Sequence, residues 1–189
     1  MTYEQLIGDL KNKSYKPVYF LWGDEPYYID LVTSFITQNV LTEAEQSFNQ
    51  TILYGKESEA AQVSDLARRF PMMASHQVVV LKEAQEMSGF VDLLPYVENP
   101  QPSTLLVINY KYKKPDKRQK IFKVLEKKAV WYESKKLYDN QVPGWIASAQ
   151  EPTATRRPSA THAQAAIQSL APTLVPTATM TPIVTLTPT

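Results

Sequence analysis

The chain has 189 residues, 43% of them hydrophobic, and a formal net charge of +1 at pH 7. This composition can fill a buried core, but it provides no overall field that would draw the whole chain to nucleic acid or to a membrane surface. Cysteine is absent and the two histidines, His76 and His162, lie far apart, so the sequence excludes a disulfide framework or a thiolate metal site and argues against zinc.

Helix and strand patterns alternate along the first 148 residues. Apolar residues at three-to-four spacing predict helices, and short continuous apolar runs predict strands. The predicted helices cover residues 3–11, 25–41, 57–70, 87–97, 116–127 and 137–148. The predicted strands cover residues 18–22, 48–54, 77–81, 104–109 and 130–132.

This alternation predicts the fold class. Continuous apolar strands are typical of strands buried on both faces, and strands that alternate with helices indicate parallel pairing through crossovers. We therefore predict an α/β fold of three layers, a parallel five-stranded sheet with helices on both faces. Beyond residue 148 the chain consists largely of Thr, Pro and Ala, so we predict a disordered tail over residues 149–189.

The segment Gly23, Asp24, Glu25 and Pro26 follows the first predicted strand, where a nucleotide-binding protein carries its phosphate loop. That loop needs further glycines, a Lys that reaches the phosphates, and a Ser or Thr for the metal. Here two carboxylates would repel phosphate, and Pro26 lacks an N–H donor. We predict a degenerate P-loop-like scaffold in which Asp24 caps the next helix.

The third predicted strand is followed by Lys82 and Glu83. In a phosphate-loop ATPase this strand would end in acids that hold magnesium, and Lys82 stands in place of the first acid. A core strand that ends in a solvated charge pair would look the same. Together with the degenerate loop, the pair favours an ATPase-type scaffold that has lost its metal site, so we expect no cofactor and no metal.

Three large apolar side chains, Phe70, Met72 and Met73, lie in the short connection before the third strand. They could cap the core. Alternatively they form an exposed apolar plug for a partner's pocket, a role that suits aromatic and Met side chains. We expect a contact site because exposed apolar clusters usually mark one.

A basic run follows the fourth strand. A solvated helix face would explain it, and lysines near aromatic rings could also meet phosphates and bases of DNA. The candidate DNA contacts are Tyr110, Lys111, Lys113, Lys114, Lys117 and Arg118.

No nucleophile–base set can be assembled, because no acid is clearly placed to orient His76. We therefore expect no intrinsic catalysis. The N-terminus lacks the features of a signal peptide, and no run approaches the roughly 18 apolar residues of a membrane span. We expect a cytoplasmic protein without membrane contact.

Three segments in this order carry a family resemblance: 18–26, 70–81, and 104–108 with the Lys-rich helix after it. Over about residues 1–148 the chain resembles the N-terminal domain of the delta subunit of bacterial DNA polymerase III, a clamp-loader subunit. The resemblance implies an AAA+-type fold that does not bind ATP, within a DNA-directed DNA polymerase holoenzyme active in DNA replication.

The resemblance also implies a mechanism and partners. In this family a short apolar element before the third strand inserts into a pocket of the sliding clamp, the beta subunit, and lets the ring open. That element corresponds to Phe70, Met72 and Met73 here. Other clamp-loader subunits would hydrolyse ATP, and DNA would be met only through the assembly.

The chain departs from the family after its first domain. Family members continue with a helical lid domain and a helical collar domain, whereas residues 149–189 are rich in Thr, Pro and Ala. We expect this truncated chain to carry an aberrant or frameshifted tail in place of those domains, which puts assembly with other loader subunits in doubt.

Two functions of other classes stay open on the sequence. One is an active P-loop nucleotide hydrolase or kinase, against which the missing Gly-Lys-Thr/Ser loop argues. The other is a basic single-stranded DNA-binding domain that works through Tyr110, Tyr112 and the neighbouring lysines.

Overall fold

The computed structural model describes residues 1–135. The helices are α1 (Tyr3–Lys11), α2 (Pro26–Asn39), α3 (Glu43–Asn49), α4 (Ala60–Ala67), α5 (Leu94–Glu98) and α6 (Lys120–Lys128). The strands are β1 (Val18–Gly23), β2 (Gln50–Tyr54), β3 (Gln77–Lys82), β4 (Thr104–Lys111) and β5 (Val130–Ser134). The helix predicted at 137–148, the boundary at residue 148 and the tail predicted at 149–189 lie outside the described residues.

The five strands form one sheet in the order β2-β3-β4-β1-β5, and every neighbouring pair is parallel. In the register of β1, which lies between β4 and β5, Phe20 is opposite Ile108 on one side and Trp131 on the other. The predicted parallel five-stranded sheet is therefore confirmed.

Both faces of this sheet are buried. Along β1, Val18, Phe20 and Trp22 face one apolar core, while Tyr19 and Leu21 face a second core. The first core is completed by α4, α5 and α6, and the second by α1 and α2. Helices therefore cover both faces of the sheet, and the predicted three layers are confirmed. This double coverage also explains why β1 is apolar along its length.

Helix α3 was not predicted, and residues 48 and 49, assigned to a strand by the sequence pattern, end this helix instead. It begins at a capping box, in which the Thr42 hydroxyl accepts from the Glu45 N–H and the Glu45 carboxylate accepts from the Thr42 N–H at 2.8 Å. These two hydrogen bonds satisfy donors that the first helical turn leaves open. The local capping signal therefore outweighs the strand pattern as far as Asn49.

The predicted helix 87–97 is also wrong in part. Residues Phe90–Leu93 form a 3-10 turn, and only Leu94–Glu98 is α-helical. Met87 is extended and Gly89 has a left-handed φ of 74°, so the backbone cannot enter a helix before Phe90.

Within residues 1–135, no helix combines the length and the apolar character that crossing a membrane requires.

Gly23 ends β1 at a point where only glycine fits. Its φ is 144°, and a Cβ atom on this residue would lie 2.0 Å from the Ser134 carbonyl oxygen on β5. The same strand end is tied to β5 by the Ser134 hydroxyl, which donates to the Glu25 carbonyl at 2.6 Å. The close approach of β1 and β5 therefore depends on the absent side chain.

We expect Gly23→Ala to lower the free energy of unfolding by roughly 2–4 kcal/mol, because the backbone must shift away from β5. Gly8→Ala is the matched control, since a Cβ at this position in α1 meets nothing within 4 Å. That change should raise the free energy of unfolding by about 0.5–1 kcal/mol through helix propensity. Urea denaturation of the full chain measures both, and equal effects of the two substitutions would contradict the close-approach argument.

Two tyrosines are buried in the core on the α1–α2 face. Burial raises the pKa of Tyr19 to about 12 and that of Tyr132 to about 12, from an ordinary value of 10.0. The Tyr19 hydroxyl also accepts from the Lys16 N–H at 3.0 Å, which partly offsets the effect of burial on its pKa.

This burial predicts alkaline unfolding. The unfolded chain releases the two phenolic protons near pH 10.0, whereas the folded chain keeps them until about pH 12, so stability is complete below the first value and falls between the two. Urea midpoints measured across this range should decline less steeply in Tyr19→Phe than in the unchanged chain. The same slope in both proteins would show that Tyr19 does not contribute to it.

Candidate functional site

The connection between α4 and β3 presents the three apolar residues singled out in the sequence. The exposed fractions of the side chains are 78% for Phe70 and 63% for Met72, and Met73 is fully exposed. The alternative that these residues cap the core therefore does not describe the folded chain. A soluble domain that exposes large apolar side chains this close together usually uses them in a contact.

A shallow apolar depression of about 300 Å³ lies beside the methionines. Its lining comprises Met72, Met73 and, from α3, Ala44, Glu45 and Phe48. Phe48 is itself 73% exposed, so α3 adds a third large apolar side chain next to the methionines. Phe70 does not line this depression, although it is exposed on the same connection. We call Phe48, Phe70, Met72 and Met73 the apolar surface.

Buried hydrogen bonds anchor the start of this connection. The Thr104 hydroxyl donates to the Ala67 carbonyl at 2.8 Å, and the Gln77 side-chain amide donates to the Leu66 carbonyl at 3.0 Å. Gln77 and Thr104 begin β3 and β4, so the last carbonyls of α4 are satisfied by the edge of the sheet. The apolar surface therefore projects from a fixed base.

Asn49 holds the middle of the connection. Its Oδ1 accepts from the Met72 N–H at 2.6 Å, and its Nδ2 donates to the Met72 carbonyl at 2.9 Å and to the Glu45 carbonyl at 3.1 Å. The next residue, Met73, has a left-handed φ of 54°. One buried side chain on α3 therefore sets the backbone at the tip of the apolar surface.

Sequence reasoning missed Phe48 and Asn49, because the strand pattern placed them in β2. The signal that could have found them is the Thr-x-x-Glu spacing of Thr42 and Glu45, a capping box that predicts a helix start. The hydrogen bonds from Thr42 also lower the pKa of the Glu45 carboxyl, so this acid stays ionised at the rim of the depression.

The connection between β1 and α2 has only two residues, Asp24 and Glu25. The Glu25 carboxylate caps α2 by accepting from the Tyr27 N–H at 3.2 Å, so the prediction that Asp24 is the cap is wrong. Pro26 occupies the first helical position, where its fixed φ suits the helix and its missing N–H has no cost. A carboxylate thus caps the N-terminus of α2.

Lys82 and Glu83 lie at the end of β3, as predicted. The Lys82 ammonium lies 5.8 Å from the centre of the Tyr54 ring, and Glu83 has a left-handed φ of 53°. The Glu83 carbonyl packs so closely against Gly55 that a Cβ there would lie 2.3 Å away. In the part of the chain that the structure describes, no three or more Asp, Glu or His side chains are grouped to hold a metal ion.

Acidic partners accompany most of the basic run. Lys111 forms an ion pair with Asp30 at 2.6 Å and Lys113 with Glu86 at 3.1 Å. Further along, Lys117 pairs with Glu126 at 2.8 Å. Arg118 lies 3.4 Å from Asp116, and Lys114 lies in a depression that also contains Asp24 and Glu133. Exposed ion pairs add little stability, but they reduce the local positive field.

The two tyrosines of this run have different environments. Tyr110 packs in an aromatic cluster with Phe20, Phe90 and Phe122, at ring-centre distances of 5.6 to 5.8 Å, and burial raises its pKa. Tyr112 is exposed and has a left-handed φ of 61°. Tyr110 therefore packs against the core while partly buried, and Tyr112 is the more exposed ring of this pair.

Comparisons with known proteins identify the family of this chain. A family model described as DNA polymerase III, delta subunit, matches residues 19–135. The DNA polymerase III subunit delta of Bacillus subtilis (strain 168) is 30% identical over 138 residues, which cover 68% of this chain and 40% of that protein.

A solved structure gives the same result for the fold. The chain matches the Bacillus subtilis DNA clamp loader delta protein with a TM-score of 0.71 and 27% sequence identity, over 78% of this chain and 46% of that one. The chain thus spans less than half the length of both relatives. Since the family model covers more than half of the chain, the chain belongs to the DNA polymerase III delta subunit family.

Proposed function

We propose that this chain binds and opens a sliding clamp as part of a DNA polymerase III clamp loader. Phe70, Met72 and Met73 insert into an apolar pocket of the clamp and weaken the contact that closes the ring. The observation that carries the proposal is the exposure of these side chains on an anchored connection. A wedge of this kind needs apolar area and shape, not catalysis.

The energetics suit such a wedge. Full burial of a Met or Phe side chain contributes about 1.5–3 kcal/mol, and a few anchors carry most of the binding energy of an interface. Met72 and Met73 are the most suitable anchors because they lie side by side at the depression, whereas Phe70 is separate from it. The polar rim at Glu45 would stay in water.

The proposal assigns no ATP hydrolysis to this chain. The Glu25 carboxylate caps α2, Pro26 lacks an N–H, and Lys82 stands where a magnesium ligand would be needed. Other loader subunits would supply hydrolysis, and DNA would be met within the assembly. The clamp-binding surface would belong to a cytoplasmic domain that includes the described residues 1–135.

The single-stranded DNA-binding alternative receives less support. Such domains stack bases on exposed aromatic rings beside unpaired cations. Here Tyr110 packs against Phe20 and Phe122, and Lys111 and Lys113 are engaged by acids. Tyr112 alone would remain as an exposed stacking ring in the described part of the run.

The first test is binding to the sliding clamp of the same organism. We expect Met72→Ala/Met73→Ala to weaken the affinity at least about a hundredfold, because two anchors lose most of their buried area and each 1.4 kcal/mol is about tenfold. Surface plasmon resonance with the full chain gives the dissociation constants, and circular dichroism checks the fold.

Val91→Ala is the matched control, because Val91 is an exposed apolar residue outside the apolar surface. It should bind like the unchanged chain. No binding by a well-folded unchanged chain would reject the clamp-opening function, and equal loss in Val91→Ala would reject the location of the wedge.

The second test is nucleotide binding. We expect no saturable binding of ATP with magnesium by isothermal titration calorimetry, because the β1–α2 connection offers a carboxylate and a proline in place of phosphate donors. Saturable binding that persists at raised salt would instead support the alternative of an active nucleotide hydrolase or kinase.

A further inference from the structure

Asn49 is a buried polar residue whose side chain bonds mainly to the connection between α4 and β3. It is 4% exposed, and it ends α3 immediately before β2. Its amide group makes three hydrogen bonds, two to the backbone of Met72 and one to the Glu45 carbonyl. Since both the N–H and the C=O of Met72 are bound, the side chain acts on this residue as a neighbouring strand would.

Strand order explains this contact between residues 23 positions apart. β2 pairs with β3 in parallel, with Gln50 opposite Val78, so the end of α3 lies beside the connection that leads into β3. At Met72 this connection is not paired with a neighbouring strand. The Asn49 amide satisfies the polar groups that the missing ladder leaves open.

The backbone next to this contact adopts a costly conformation. Met73 has a φ of 54°, a region in which a non-glycine residue is held at a cost of about 1 kcal/mol or more. Such a residue persists only where its surroundings determine its conformation. The hydrogen bonds at Met72 are the restraint next to it in the chain.

We propose that Asn49 is a positioning residue of the apolar surface. It holds Met72 and Met73 in the exposed arrangement before any partner arrives, so the ordering of this connection is completed during folding. The inference rests on the proposed clamp-binding function and adds the residue that pre-organises the wedge. Pre-organised contact residues bind more tightly because less conformational freedom is lost on association.

The same contact links the two halves of the apolar surface. Phe48 precedes Asn49 on α3, and Met72 and Met73 belong to the α4–β3 connection, yet all three line one depression. Without the Asn49 amide, the two segments would lose their hydrogen-bonded link at this point. The shape of the depression would then vary, and a partner would have to order its lining residues on binding.

The test compares Asn49→Ala with a matched control on the same helix. Gln46→Ala also removes a side-chain hydrogen bond to a backbone carbonyl, that of Leu41 at 3.2 Å, but leaves Met72 untouched. We expect Asn49→Ala to weaken binding to the sliding clamp about tenfold, and Gln46→Ala to leave it unchanged.

A second readout separates positioning from general damage to the fold. Hydrogen exchange at the Met72 amide, followed by NMR in the full chain, should be faster in Asn49→Ala, while amides in the core strand β3 keep their protection. If Asn49→Ala does not fold, Asn49→Asp replaces it, because Asp keeps the oxygen that accepts from Met72 but loses both donors. In Asn49→Asp clamp binding should weaken, because the hydrogen bonds to the Met72 and Glu45 carbonyls are lost.

A double-mutant cycle tests whether Asn49 acts through the methionines. In the Met73→Ala background, Asn49→Ala should reduce clamp binding clearly less than about tenfold, because part of what Asn49 positions is already gone. Full additivity of the two changes would overturn the proposal, as would an unchanged affinity in folded Asn49→Ala.

The outcomes also distinguish this inference from the function on which it rests. If the unchanged chain does not bind the clamp, the proposed function fails, and the positioning role fails with it. If the unchanged chain binds and loses affinity in Met72→Ala/Met73→Ala but not in Asn49→Ala, the proposed function stands and only the role of Asn49 is rejected.

Discussion

The burial of one parallel sheet on both faces is the constraint on which the rest of the structure depends. β1 sends Phe20 into one core and Leu21 into the other, so a shift of one residue would exchange the two sets of side chains. The strands are therefore held in one register. Because they are parallel, their amino ends lie at one edge of the sheet and their carboxyl ends lie at the opposite edge. Residues just before a strand therefore lie at the amino edge, and residues just after a strand lie at the carboxyl edge.

The two edges have different chemistry. The apolar surface precedes β3 and therefore lies at the amino edge, where exposed methionines are supported by Asn49 and by the anchored end of α4. The carboxyl edge carries the Glu25 cap, Lys82 and ion pairs such as Lys111 with Asp30. In open α/β sheets small ligands usually bind at the carboxyl edge. Here that edge carries internal ion pairs, and the exposed apolar side chains lie at the other edge.

Local sequence signals predicted a large part of this arrangement. The run of valines in β3 and the helical spacing in α2 were sufficient for the strand, the helix and their burial, because both patterns act over a few residues. The predictions were wrong where two local signals competed. Residues 48 and 49 follow a strand pattern, but the capping box at Thr42 extends a helix through them. Asp24 is the better N-cap by residue type, and only the backbone shows that Glu25 reaches the Tyr27 N–H instead.

The sequence by itself determined the α/β class, the parallel sheet and the apolar residues before β3, because each depends on residue type and short-range spacing. Tertiary structure decided which of these residues meet. Strand order brings Asn49 to Met72 and adds Phe48 to the apolar surface. Packing also draws Tyr110 into the aromatic core, while Tyr112 is left in solvent. Neither outcome could be predicted from spacing, because each depends on contacts between segments that lie far apart in the chain.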